Sequence, residues 1–212
     1  MPGGVVYAGE NQIPGTTASW NTVQNFVSVR NDRAQILVSC DAMPLFMMGE
    51  LLNDPYRQPR TYEKPHLFSW VTNNYWTTNF RASQEGELNW SYTLTSCADT
   101  SNAAASAFGW SNRIPLYARV MPAAGKARSK SFCRTGCDHV LMTSCSPSRT
   151  GQGAVLVNLR ETDGRQAELT LLDAAGNPLT FEVVNVLDEP LGIRTSSLTL
   201  KPYENVFVRL SR

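Results

Sequence analysis

The chain has 212 residues, 42% of them hydrophobic and 17% charged, with a net charge of +1. This is a globular composition rather than a disordered one, and it lacks the basic field that grips phosphate backbones, so nucleic acid is not an expected partner. No apolar run approaches the roughly 20 residues of a membrane-crossing helix, so a membrane is not expected either. Met1-Pro-Gly-Gly-Val has neither the basic nor the apolar region of a signal peptide, which leaves the compartment unassigned.

In chain order the sequence reads as nearly all β. Val23 to Arg30 and Gln35 to Ser39 form a predicted hairpin around Asn31-Asp32. Met43 to Leu52 is apolar on both faces, as in a strand buried between layers. Leu88, Trp90, Tyr92 and Leu94 alternate with polar residues, predicting a strand with one buried and one wet face. Asn102 to Phe108 is the one predicted helix, with Asn102 as its cap and Gly109 as its stop. In the last third Val155, Val157 and Leu159 face one way, Asp163-Gly164 turns, and Ala167, Leu169 and Leu171 return, predicting a hairpin. Gly176-Asn-Pro178 marks another turn. Phe181 to Leu187 and Val206 to Leu210 complete the strands. The expected fold class is therefore an antiparallel β-sandwich followed by a smaller one. The Pro- and Gly-rich stretch from Pro115 to Arg134 holds the expected boundary, giving domains 1–121 and 122–212.

Residues 68–86 carry the most functional information. Phe68, Trp70, Tyr75, Trp76 and Phe80 are interleaved with Asn73, Asn74 and Asn79, and Arg81 follows. An aromatic face packs on the apolar face of a pyranose, and a carboxamide both donates to and accepts from hydroxyls. The same rings would equally serve a sandwich core with a polar edge. The Arg81 guanidinium could fork toward a substrate hydroxyl or a neighbouring domain's carboxylate, or form an ion pair within its own domain.

The ordered set IPG (13–15), VSVRN (27–31), DAMPLFMMGEL (41–51) and SWVTNNYWTTNFRASQEGELNWSYTLTS (69–96) resembles the C-terminal region of family-38 glycoside hydrolases, the α-mannosidases. Residues 154–161, 184–187 and 200–210 are similar to that family's terminal β-sandwich, and the likeness is weakest from Ala98 to Ser148. The resemblance implies a galactose-mutarotase-like supersandwich for the first part. It implies that the chain packs on an N-terminal catalytic barrel of the same enzyme, which cleaves an α-mannoside. That barrel would carry an Asp nucleophile, a second carboxylic acid and a divalent metal, usually zinc. Retaining enzymes hold such carboxylates about 5–5.5 Å apart.

This chain has no alternating strand–helix pattern and no His-x-Asp motif, so no catalytic residue, metal ligand or cofactor is assigned to it, and hydrolysis by the chain alone is not expected. The predicted carbohydrate-binding residues, at the rim of the barrel's active site, are Asn73, Asn74, Trp76, Asn79 and Arg81. A free-standing carbohydrate-binding sandwich and a structural sandwich that self-associates into a homo-oligomer are the alternatives. Other polar residues read as structural: Glu85 and Glu87 as turn solvation, Asp41 as a turn cap or Arg partner, Asp188 and Glu189 as surface loop, and His66 as a hydrogen-bonder. Cys133, Cys137 and Cys145 with His139 could close a metal tetrahedron, but their spacing fits no standard zinc motif. The five cysteines therefore read as incidental thiols or as including one disulfide.

Overall fold

The computed structural model describes residues 3–16, 19–51, 62–72, 83–114, 116–120, 131–151 and 153–211. Within them the elements are β1 (Asn21–Thr22), β2 (Val27–Arg30), β3 (Gln35–Ser39), β4 (Leu45–Met48), β5 (Leu67–Ser69), β6 (Thr93–Cys97) and α1 (Asn102–Arg113). They continue with β7 (Arg134–Thr135), β8 (Val140–Pro147), β9 (Val155–Glu161), β10 (Ala167–Leu172), β11 (Phe181–Val184), β12 (Pro190–Thr195), β13 (Ser197–Leu200) and β14 (Asn205–Leu210). The protein is thus nearly all β, and every strand pairing among the described residues is antiparallel.

Residues 21–113 form two three-stranded sheets, β1-β4-β5 and β2-β3-β6. Val27, Val38 and Phe46 pack between them, with Val23, Met48, Leu67 and Tyr92 at the margin. The β2–β3 hairpin turns where expected, because the Asn31 side chain accepts from the Arg33 and Ala34 N–H groups at 2.8 and 3.0 Å. Buried Gln35 donates to the carbonyls of Asp99 and Ser101 at 2.5 and 3.2 Å and accepts from the Ser28 hydroxyl at 2.9 Å. One carboxamide thereby ties the first hairpin to the segment that leads into the helix.

Residues 134–210 form a sandwich of a five-stranded sheet, β12-β11-β14-β9-β8, on a three-stranded one, β13-β10-β7. Val157, Leu159, Phe181 and Val208 from the larger sheet meet Leu169, Leu171 and Leu200 from the smaller, and all are essentially inaccessible. The expected boundary between residues 121 and 122 lies outside the described residues.

Four expectations are corrected. First, β9 and β10 are not a hairpin: they lie in opposite sheets, and the Thr162–Gln166 turn arches across the core. Alternating apolar residues suit face-to-face packing as well as edge-to-edge pairing, so the period could not distinguish them. Second, Leu88, Trp90 and Leu94 are exposed, and the strand starts only at Thr93. Among the described residues β6 is an edge strand paired to β3 alone, and only Tyr92 of that alternating set reaches the core margin.

Third, the helix is capped by Ser101 and runs through Gly109 to Arg113. A Cβ on Gly109 would stand 2.9 Å from the Asn25 carbonyl oxygen, so glycine here permits close packing rather than ending the helix. Fourth, Asp188 is fully buried, not part of a solvated loop. Its carboxylate accepts from the Ser148 hydroxyl at 2.6 Å and the N–H groups of Arg149 and Thr150 at 2.8 and 3.3 Å, with the Arg209 guanidinium 3.3 Å away.

Burial of Asp188 works to raise its pKa. The hydrogen bonds from Ser148, Arg149 and Thr150 and the Arg209 charge together outweigh that, holding the carboxyl below its ordinary value of 3.8. A depressed carboxyl stabilises the fold above its unfolded pKa, and the contribution is lost as pH falls through the folded pKa. Asp188→Asn keeps a side chain that tolerates the positive φ of 68°. It should cost about 1.5–3 kcal/mol at neutral pH in urea unfolding, and the gap to the parent should narrow as pH falls below about 4. Gly109→Ala should also destabilise, by about 1–3 kcal/mol of overpacking that exceeds its gain in helix propensity.

Candidate functional site

Asn73, Asn74, Trp76, Asn79 and Arg81 all lie outside the described residues. At the start of that stretch Phe68 belongs to β5, and Trp70 packs on Trp20 with ring centroids 4.4 Å apart. The Trp70 indole N–H donates to the Thr72 carbonyl at 2.7 Å. These two rings therefore serve packing. His66 is exposed and sets its ring edge-on to Phe68. Asp41 pairs with Arg113 at 3.6 Å, the Arg partnership expected for it.

Two polar constellations stand out among the described residues. The first joins α1 to the C-terminal sandwich. A helix leaves its first backbone N–H groups without partners, and α1 has no acidic residue in its first turn. Here the Ser101 N–H donates to Asp99 at 2.9 Å and the Ala104 N–H to the Ser101 hydroxyl at 3.1 Å. The Asn102 and Ala103 N–H groups donate to Asp163 at 2.9 and 3.2 Å. Asp163 sits on the arch between β9 and β10, so the helix is capped from the other sandwich. Its second oxygen pairs with Arg165 at 2.8 Å.

Buried Glu161 fixes that arch by accepting the N–H groups of Asp163, Gly164 and Tyr203 at 2.6, 2.9 and 2.7 Å. Asn102 donates to the hydroxyls of Tyr7 and Tyr203 at 3.0 and 3.3 Å, and its carbonyl accepts from Arg30 at 3.0 Å. Burial, and after it the neighbouring Tyr7, pushes the Tyr203 phenol up. The Ser101 backbone and then its hydroxyl hold the exposed Asp99 carboxyl below its ordinary value. These groups are committed to one another, and their arrangement is structural.

The second constellation is an open cleft of about 390 Å³ at one end of the β3–β6 ladder, where Ser39 and Thr93 are the terminal pair. Asp41 follows β3 on one wall, Asn89 and Trp90 precede β6 on another, and Asn112 closes the site from the last turn of α1. Trp90 is 40% exposed. Its assignment to a buried strand face hid this site in the sequence. The usable signal was its neighbourhood: an Asn and a Ser flank it beyond a Glu-Gly-Glu turn.

All five cysteines are free thiols. Cys137 Sγ lies 3.3 Å from His139 Nδ1, and burial, then the charge of nearby Cys145, pushes the Cys133 thiol up. Among the described residues no group of three His, Cys, Asp or Glu could hold a metal ion.

No protein-family model and no curated protein matches the sequence. Among solved structures, an α-mannosidase from Enterococcus faecalis V583 matches with 15% identity and a TM-score of 0.57. The chain has the fold of a stretch of that protein. The match covers 91% of this chain and 21% of the α-mannosidase, so the chain spans about a fifth of its length.

Asp163→Ala removes the acceptor for two helix N–H groups. It should lower stability to urea by about 1–2 kcal/mol, and Asp163→Asn, which keeps an acceptor, should lose less.

Proposed function

We propose that the chain is the non-catalytic C-terminal region of an α-mannosidase-like glycoside hydrolase of family 38, packing on an N-terminal catalytic barrel. The observation that carries this reading is the fold match to an α-mannosidase along 91% of the chain. The ordered motifs from residue 13 to residue 96, and again over residues 154–161 and 200–210, support the same assignment. Fold likeness locates a scaffold rather than a chemistry, so catalysis, and any zinc or other divalent metal, is assigned to the barrel.

Exposed apolar side chains fit a surface made to pack on another domain. Leu116, Tyr117 and Val120 are almost wholly exposed, and edge strand β12 presents Leu191 and Ile193. Monomers seldom leave large apolar patches open. On this reading Asn73, Asn74, Trp76, Asn79 and Arg81 line the rim of the barrel's active site and contact the α-mannoside.

The chain should not hydrolyse an aryl α-mannoside alone, but should do so with zinc once mixed with the separately expressed barrel of the parent enzyme. Failure of the two parts to associate, with no hydrolysis in the mixture, would remove the reading. In the reassembled enzyme, replacing Asn74 and Trp76 by Ala should lower kcat/KM about 10- to 100-fold at unchanged thermal stability. An unchanged kcat/KM would exclude the rim role.

A further inference from the structure

We infer that the cleft between the end of β3, the segment before β6 and the last turn of α1 binds a hexopyranose unit of a glycan, with Trp90 as its stacking platform. None of the residues that line it belongs to the stretch at residues 73–81. The cleft rests on geometry, and the choice of sugar as occupant rests on the glycoside-hydrolase reading above.

Size comes first. At about 390 Å³ the cleft falls within the roughly 300–1,000 Å³ of small-molecule sites, and it is open to solvent at the end of a ladder. Next is the platform. Trp90 precedes β6 and is 40% exposed, and its indole N–H makes no hydrogen bond among the described residues. An exposed indole offers a flat apolar face for pyranose C–H groups and a donor at its edge. A tryptophan that merely completed the core would be covered, as Trp70 is by Trp20.

The polar groups around it suit hydroxyls. Asp41 and the carboxamide oxygens of Asn89 and Asn112 accept, and Asn89, Ser91 and Thr93 supply donors. Neighbouring contacts orient these groups: Asn112 Nδ2 donates to the Phe108 carbonyl at 2.9 Å, and Asn89 Nδ2 donates to Glu87 at 3.1 Å. Both carboxamides thereby leave their oxygens free to accept. Arg113 holds Asp41 in place while donating to the Gln24 carbonyl and the Asn25 side chain at 2.9 and 3.1 Å.

Charge then narrows the class. Among the described residues the cation that pairs with Asp41, Arg113, is already shared among three acceptors. The α1 C-terminus adds the negative end of its dipole to the Asp41 carboxylate. An acceptor-rich cleft whose described cation is already committed to Asp41 disfavours phosphates and carboxylates and favours neutral polyols.

The test uses the 212-residue chain labelled with 15N. Methyl α-D-mannopyranoside, methyl β-D-glucopyranoside, methyl β-D-galactopyranoside and inorganic phosphate are titrated separately. The Trp90 indole N–H and the side-chain amides of Asn89 and Asn112 are followed by NMR. At least one glycoside should shift these signals saturably, and phosphate should not. Trp90→Ala should weaken binding at least about tenfold, Trp90→Phe should retain most of it, and Asp41→Asn should weaken it without unfolding the chain.

Binding of the glucoside or galactoside but not the mannoside would uphold the cleft while counting against the α-mannoside reading. No saturable shift with any glycoside would overturn the inference. So would shifts that persist unchanged in both Trp90→Ala and Asp41→Asn, or a response to phosphate alone.

Discussion

The start of the single described helix is the constraint on which the arrangement turns. Four backbone N–H groups there need acceptors, and the helix's own first turn offers no acidic side chain. Two of the four are satisfied by Asp163, from a strand connection in the other sandwich. Its position depends in turn on Glu161, a fully buried carboxylate held by three backbone N–H groups. The helix is thereby fixed at its beginning, and its far end supplies Asn112 to the cleft beside Trp90 and Arg113 as the partner of Asp41 on the cleft wall. Gly164 belongs to the same design: a Cβ there would stand 2.5 Å from the Tyr203 hydroxyl, so only glycine lets that phenol reach Asn102.

Buried charge follows one rule in this chain. Glu161 and Asp188 are both inaccessible, and both are surrounded by main-chain donors rather than simply paired with a cation. Removing a carboxylate from water is costly unless its lone pairs are filled. Backbone N–H groups of tight turns do this with little loss of side-chain entropy. Each carboxylate therefore organises a loop: Glu161 the arch between β9 and β10, and Asp188 the turn at residues 148–151. Arg209 links the second centre to Glu182 at 2.7 Å, so one guanidinium crosses between two acidic groups on the face of a sheet.

What the sequence made legible was periodicity. Strands β9, β10 and β14, the β2–β3 hairpin and the Asp173–Asn177 turn all announce themselves through alternating apolar residues or turn chemistry. It was silent on what each apolar face meets. The same alternation produced a hairpin expectation where the chain crosses between sheets, and a buried face where β6 stands at an edge. Gly109 looks like a helix stop because glycine is common there, and only the packing against Asn25 reveals its other use. Asp188 looks solvated because an acidic pair before a proline reads as a surface turn; burial of a charge depends on donors 40 residues away in sequence. The rings and carboxamides singled out for sugar chemistry, from Asn73 to Arg81, lie outside the described residues. Trp90 escaped notice because an alternating pattern reads an aromatic as core.

The distance along the chain between the helix start and its acceptor has a consequence for biosynthesis. Asn102 and Asp163 are 61 residues apart, and translation proceeds at about 5–20 residues per second. The helix therefore leaves the ribosome roughly 3–12 s before the group that completes its first turn. A helix of 12 residues is marginal alone. During that interval its anchors are the Gln35 carboxamide, the Asp99–Ser101 turn, Arg30 at its start and the contacts of Gly109 and Arg113 with Asn25, and the N-terminal sheets must tolerate an incompletely formed neighbour. Synthesis of the β9–β10 arch is then the step that commits the two halves to one another.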